Sequence, residues 1–474
     1  MIFNSYHFLL FFPVVTLLYF ILPKRVRWLW LLAASYYFYM CWNASYALLI
    51  ALSTVVTYAC ALGAQRYTSK GVRKGIMLAG LGVNLAILCF FKYFNFFGDT
   101  VNRVLGAAGL AVHVPHVDVL LPVGISFYTF QALGYMIDVY RGTVKAERNL
   151  LRYALFVSFF PQLVAGPIER SRNLLRQVNE GRDFDWDRAI HGLLIMLLGF
   201  FEKLVIADRA SIYVNAVYDK WVYASGWQIA LATVAFAFQI YGDFGGYSHI
   251  AIGAAKVLGY DLMENFRQPY FAVSVRDFWH RWHVSLSTWF RDYVYIPLGG
   301  SRVGRLRRMV NLMITFTVSG LWHGAALNYV AWGAANGLLQ ILEGLLPKPE
   351  KTGALSRALR MLVTFVLICG TWMLFRCNAL STAIRMFMRM FTAFGAPAYE
   401  TGFSFWQGAV LVLSVAVLLI VDIFHERGVD LSRRVMSMKA PVMGALTLLA
   451  VLLILVFGIW GPGYDAQAFI YFQF

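Results

Sequence analysis

Charge is scarce in this chain. Only 14% of its 474 residues are Asp, Glu, Lys or Arg, against about a quarter in a soluble domain, which excludes an ordinary water-soluble enzyme. Acids are scarcer than bases, 24 against 41, for a formal charge of +17. In a soluble protein that excess would point to nucleic acid. Here the cations sit in short loops between apolar runs, the bias that sets membrane topology, and no motif that reads RNA or DNA accompanies them, so no nucleic-acid partner is expected. Cysteine is rare as well. Cys41, Cys60, Cys89, Cys369 and Cys377 lie in or beside apolar runs without metal-type spacing, so they read as packing residues and not as a disulfide framework. Walker and dinucleotide fingerprints are missing, which leaves nothing to support ATP hydrolysis or redox chemistry. There is no G-x-S-x-G elbow and no H-E-x-x-H pair, and no metal site is expected.

What is abundant is apolar sequence, 60% of the chain. A spanning helix needs about 20 mostly apolar residues. Runs of that kind fall at 7–22, 28–43, 46–64, 76–97, 119–139, 189–206, 227–244, 309–322, 326–346, 358–376, 403–423 and 440–460. They predict an all-α integral membrane protein of about 11–12 spans, several of them short enough to be tilted or re-entrant, in a single domain over 1–474. The first run is followed by Lys24, Arg25 and Arg27 with no small-residue cleavage site and reads as a retained anchor. Every second loop is basic: Arg66 to Lys74 after the third run, Arg141 to Arg152 after the fifth. Those loops are expected in the cytoplasm, with the N-terminus extracytoplasmic. Gly98 to Asp118, with a single arginine, and 461–474 are expected outside. The connectors Lys348 to Arg360 and Glu426 to Lys439 read as cytoplasmic loops.

Two segments do not read as plain spans. Leu151 to Arg176 contains Pro161 and Pro167, which break a long helix, and is expected as a short interfacial or re-entrant element. Gly242 to Ser248 holds Asp243 among three glycines, where unusual backbone angles are expected. Irregular backbone at membrane depth is tolerated only inside protein or beside a wet cavity, so both segments point to an internal cavity.

The candidate chemistry lies in Arg276 to Gly324. His323 follows the apolar run 313–322 and is flanked by Gly320 and Gly324. An ionisable residue at that depth is a functional hypothesis by default, and a neutral imidazole suits a general base; a packing histidine is the alternative. If Arg276 to Tyr295 is one helix, His280 and His283 share a face; His280 is expected to be an interfacial surface residue. Arg276, Arg281 and Arg291 serve topology, or form a cationic platform for a phosphate-bearing cofactor or an acidic carrier protein. Trp279, Trp282, Trp289 and Trp322 are interfacial anchors or the walls of an acyl or sugar pocket. Asp277 and Asp292 pair with nearby arginines.

These residues resemble a known family. Phe278-Trp279-His280-Arg281-Trp282-His283-Val284-Ser285-Leu286-Ser287, Trp289-Phe290-Arg291-Asp292-Tyr293 and Gly320-Leu321-Trp322-His323-Gly324 are similar to motifs of the membrane-bound O-acyltransferases (MBOAT). Within them they resemble the bacterial polysaccharide branch, which includes alginate O-acetyltransferase membrane subunits and, more distantly, teichoic-acid D-alanyl transfer proteins. The resemblance extends to Glu264-Asn265-Phe266-Arg267-Gln268-Pro269-Tyr270, to 159–168, to 1–5 and to 469–474. It implies a ring of tilted helices around a thinned funnel, with a tunnel joining the two faces. It makes His323 the essential histidine and general base. His283 matches a position held by Asn in many eukaryotic relatives, which implies positioning or polarisation of substrate. Trp279, Arg281, Ser285, Arg291, Asp292, Trp322, Asn265 and Ser319 are then substrate-binding candidates. Tyr295 to Arg302 is similar to the acetylating members. The implied activity is acyl transfer, acetyl above all, from a cytoplasmic thioester such as acetyl-CoA, with no permanently bound cofactor. The acceptor is an extracytoplasmic polysaccharide, reached directly or through a partner with a Ser-type esterase-like domain. The implied location is the bacterial plasma (inner) membrane. D-alanyl transfer from a carrier protein and a non-enzymatic polysaccharide transporter or scaffold are the alternatives.

Overall fold

The computed structural model describes residues 1–110, 112–118, 121–347 and 353–460. The expected extracytoplasmic tail 461–474 and the motif within it lie outside the described residues. Among the described residues every regular element is helical. Seven helices are long and apolar enough to cross a membrane: Ala44–Arg66, Lys70–Ala107, Trp186–Asp219, Gly226–Val257, Ala354–Arg376, Phe405–Glu426 and Ala440–Phe457. Tyr6–Ile21 is a shorter apolar helix. The runs expected at 309–322 and 326–346 form Arg305–His323 and Leu327–Glu343, which fall outside that set; the first opens on Arg305, Arg307 and Arg308. The expected count of spans therefore divides into long apolar helices and shorter, more polar ones. The chain forms two compact units, one of 1–189 with 255–262, the other of 190–254 with 263–460.

In the first unit, the middle of Leu151 to Arg176 is buried within protein, while its two ends are exposed. Helix Leu150–Ser158 ends before Pro161, and 159–170 is buried throughout. A buried irregular backbone must still satisfy its polar groups, and side chains do so. Gln131 Nε2 and Gln162 Nε2 both donate to the Phe156 carbonyl, at 2.5 and 3.2 Å, and Phe160 N–H donates to Ser35 Oγ at 3.1 Å.

In the second unit, Gly242 to Ser248 is not irregular: it lies inside the continuous helix Gly226–Val257. Its glycines serve close approach to a neighbouring backbone. A Cβ on Gly242 would stand 2.7 Å from the Glu202 carbonyl oxygen, and one on Gly246 2.6 Å from that of Gly199. The facing chain is a π-helical turn, Phe201–Ala207, a feature found mostly as single turns at functional sites. That turn buries Glu202 and Lys203. Lys203 Nζ is 2.8 Å from Asp208 Oδ1 and 2.6 Å from Asp243 Oδ1, and Glu202 Oε2 is 2.7 Å from His249 Nδ1. Charges taken out of water require such partners. Two charged residues, Glu202 and Lys203, within the apolar run 189–206 are the sequence signal for this cluster.

Helices Arg305–His323 and Leu327–Glu343 form a tight hairpin. Gly320 and Gly333 face each other so closely that a Cβ on Gly333 would meet the Phe316 carbonyl and stand 3.1 Å from the Gly320 Cα. Overpacking costs about 1–3 kcal/mol. Gly333→Ala is therefore expected to lower the melting temperature of the detergent-solubilised protein and to reduce activity by displacing His323. An unchanged melting temperature and rate would refute this close packing.

Candidate active site

His323 is the last residue of helix Arg305–His323. The helix ends there because Gly324 is extended and a Cβ on it would run into the Tyr329 ring. The His323 side chain thus emerges at a fixed height. It is 5% exposed and edge-on to aromatic rings, with centroids at 4.9 Å (Trp322), 5.0 Å (Trp332) and 5.3 Å (Phe375). Trp332 Nε1–H is buried and has no hydrogen-bond acceptor among the described residues.

The stretch 276–295 is not one helix. Helix Val275–Arg281 stops, Trp282 and His283 turn the chain, and helix Val284–Phe290 begins. His283 sits at the turn with φ +45°, a left-handed conformation that non-glycine residues seldom adopt. His280 and His283 therefore share no helical face. His280 is exposed, its Nδ1 donating to the Arg276 carbonyl at 2.8 Å, whereas His283 is 1% exposed. Asn265 holds the turn. Its carbonyl accepts from Val284 N–H at 2.9 Å, and its Oδ1 lies 3.4 Å from both Ser285 N and His283 Nδ1. Its Nδ2 donates to Ser248 Oγ at 3.1 Å, which fixes the amide so that Oδ1 faces the imidazole. Asn265 Oδ1 and Ser285 Oγ, 3.4 and 3.5 Å away, flank His283 Nδ1.

The His283 ring packs on Phe244 at 4.5 Å and on Trp322 at 6.2 Å. Both histidines thus contact Trp322 despite lying 40 residues apart in sequence. Burial pushes the His283 imidazole down to about 3, so it stays neutral across the physiological range. Accordingly, His283→Asn should lower the height of the pH–rate profile without moving any inflection between pH 5 and 8. An inflection lost in that variant would show that His283 titrates during turnover.

Neither His283 nor His323 lines the cleft of this unit, although His280 does. That cleft, about 1460 Å3, is walled by Arg267, Arg276, Arg291, Arg308 and Arg360, by Trp279, Phe290, Tyr295 and Phe316, and by Leu and Val side chains. Among the described residues its one acid is Glu343, whose carboxylate accepts from the backbone N–H groups of Val275 and Arg276 at 3.1 and 3.0 Å. Arg267 pairs with Glu264 and Arg291 with Asp292. Arg276, Arg308 and Arg360 have no ion pair among the described residues. The cleft is strongly cationic and partly apolar, a surface suited to a phosphate-bearing ligand with a flexible chain. It reaches Ser319, one helical turn before His323 on the same face.

The remaining candidates separate. Arg281 lies outside the cleft wall and is held by Asp277 at 3.0 Å and Glu426 at 2.6 Å. Asp292 pairs with Arg291 at 2.8 Å. Ser285 is buried, with Oγ 3.5 Å from His283 Nδ1. Trp279, Arg291 and Ser319 face the cleft; Asn265, Ser285 and Trp322 surround the histidines. Arg308, Arg360, Trp332 and Asn336 were missed, since basic residues at helix starts read as topology signals and a tryptophan or asparagine in an apolar run carries no local signal.

The sequence model of "MBOAT, membrane-bound O-acyltransferase family" matches residues 145–381, which contain both histidines and the whole cleft. A Pseudomonas putida protein named "Probable alginate O-acetylase AlgI" is 41% identical over 398 residues, covering 83% of this chain and 80% of that protein. A Helicobacter pylori "Peptidoglycan O-acetyltransferase" is 32% identical, covering 82% and 80%. A Bacillus subtilis "Teichoic acid D-alanyltransferase" is 26% identical, covering 56% and 70%. The chain belongs to the membrane-bound O-acyltransferase family. It is a multi-pass membrane O-acyltransferase.

Proposed function

We propose that this protein moves an acetyl group from a cytoplasmic thioester donor, acetyl-CoA in the first instance, to a hydroxyl destined for an extracytoplasmic polysaccharide. The observation that carries the reading is the cationic cleft ending one helical turn short of a buried histidine. The alternating basic loops support a cytoplasmic cleft and an extracytoplasmic N-terminus, and with them an inner-membrane location. Arginines bind the donor's phosphates and the apolar wall takes its pantetheine arm. His323 accepts the proton of the acceptor hydroxyl as that oxygen attacks the thioester carbonyl. The C–O bond forms, the C–S bond breaks, and the proton passes to the leaving thiolate. The Trp332 indole N–H is placed to donate to the developing oxyanion. His283, buried against Phe244 and Trp322, positions the substrate beside His323.

Acetyl is preferred to D-alanyl because the relatives named as acetylases and acetyltransferases match over more of the chain and at higher identity. The acceptor hydroxyl belongs to the polymer or to an extracytoplasmic relay partner with a Ser-type esterase-like domain. Purified protein in proteoliposomes, loaded with labelled acetyl-CoA on one side and supplied with acceptor on the other, tests the reading. Label on the acceptor hydroxyl is expected. Transfer from a D-alanyl carrier thioester, with none from acetyl-CoA, would replace the donor.

A further inference from the structure

Between the cationic cleft and His323 stands an aromatic partition. Trp279 is half-buried and forms part of the cleft wall. Its ring packs edge-on against Phe316 at 5.4 Å and against Trp332 at 5.6 Å. Trp332, 1% exposed, is in turn the ring 5.0 Å from His323. Going inward from the cleft, the order is therefore Trp279, Trp332, His323. The partition is latched: Trp279 Nε1 donates to Asn336 Oδ1 at 3.2 Å, and Asn336 Nδ2 is anchored on the Trp332 carbonyl at 2.9 Å. Asn336 is wholly buried, so the amide has no solvent alternative. Behind Trp332 the space is filled by Trp372, stacked at 5.9 Å, and by Phe375 at 5.1 Å. The Gly320–Gly333 contact prevents the hairpin from spreading. Of the two indoles, only Trp279 has a side that faces open space.

We propose that Trp279, latched to Asn336, is the gate between the cleft and His323, and that with Trp332 it sets the length of the acyl group admitted. Rotation of Trp279 toward the cleft breaks one hydrogen bond and opens a passage bounded by the immobile Trp332. A two-carbon acyl group fits between that edge and the displaced Trp279 ring; each further methylene presses on Trp279. This rests on the donor reading above. Its consequence is selectivity: a methylene in a tight apolar pocket is worth about 10–200-fold in kcat/KM.

The test uses the full-length protein in detergent with acetyl-, butanoyl- and hexanoyl-CoA. The wild type is expected to prefer acetyl. Trp279→Ala should raise the butanoyl-to-acetyl ratio of kcat/KM by about 10-fold or more. Asn336→Leu, which removes the latch and keeps the ring, should raise it less. Trp279→Phe, which keeps a smaller ring without the N–H, should fall between wild type and Trp279→Ala and guards against a folding defect in the truncation. An unchanged ratio in both Trp279 variants, with the wild type active, would overturn the gate. Equal loss on all three donors would overturn it too, by reducing Trp279 to a structural role. A wild type that uses none of the three would instead sink the donor reading.

Discussion

His323→Ala should reduce acyl transfer by about 10²–10⁴-fold, the usual worth of a positioned general base. The loss should appear in kcat/KM and in kcat alike, because proton removal from the hydroxyl is needed only as the oxygen attacks. Burial is what gives the residue its reach: at 5% exposure among Trp322, Trp332 and Phe375, no bulk water replaces the missing base. Truncation also leaves a void in an aromatic cluster, and voids destabilise. His323→Gln separates the two effects, since it fills most of the volume and retains hydrogen-bonding groups but is no base near neutral pH. Both variants are expected to be inactive, with His323→Gln melting near the wild-type temperature. Transfer by His323→Gln within a few-fold of wild type would remove His323 from the chemistry. His280→Ala is the control: that side chain is exposed at the cleft, its Nδ1 donates to the Arg276 carbonyl of its own helix, and its loss should be mild.

Much of this arrangement was legible in the residues. His323 announced itself because an imidazole beside two glycines at the end of an apolar run is costly unless used, and Gly320 and Gly324 indeed define the hairpin and the helix end. The break at Pro161 was visible because proline leaves the backbone few options. Periodicity failed where tertiary contacts chose the backbone. Arg276 to Tyr295 has the spacing of one helix, yet Asn265, eighteen residues before His283, takes over backbone and side-chain hydrogen bonds at 283–285 and turns the chain. Nothing local marks that substitution of partners. The glycines at 242–246 misled for a related reason: glycine permits strange dihedrals but also close approach, and only the position of Gly199 and Glu202 on a neighbouring helix decides between the two. Long-range pairing likewise decided the arginines. Arg281 is drawn to Glu426, 145 residues away, leaving Arg276, Arg308 and Arg360 to the cleft.

The second large effect is expected far from the cleft, at Lys203. Its ammonium bridges Asp208 and Asp243 in a cluster where all three residues are under 9% exposed. Lys203→Met keeps the length and apolar stem but takes the ammonium away from two buried carboxylates, and breaking a buried pair in this way typically costs about 3–5 kcal/mol. The variant should melt at a clearly lower temperature in detergent and express poorly. It should also lose transfer activity through an identifiable route. Asp243 precedes Phe244, the ring against His283, and Ser248 on the same helix receives the Asn265 bond that orients the imidazole. A shift of this helix at the π-helical turn therefore reaches His283 through two contacts. The triple variant Lys203→Met, Asp208→Asn, Asp243→Asn discriminates charge from shape. It restores neutrality at nearly constant volume, so it should recover most of the melting temperature lost by Lys203→Met alone, because the buried charge and not the missing bridge carries the cost. Equal instability of the single and triple variants would mean that the geometry of the bridge itself holds the helices. A Lys203→Met protein as stable and active as wild type would show that these carboxylates are not charged and buried together in the working enzyme.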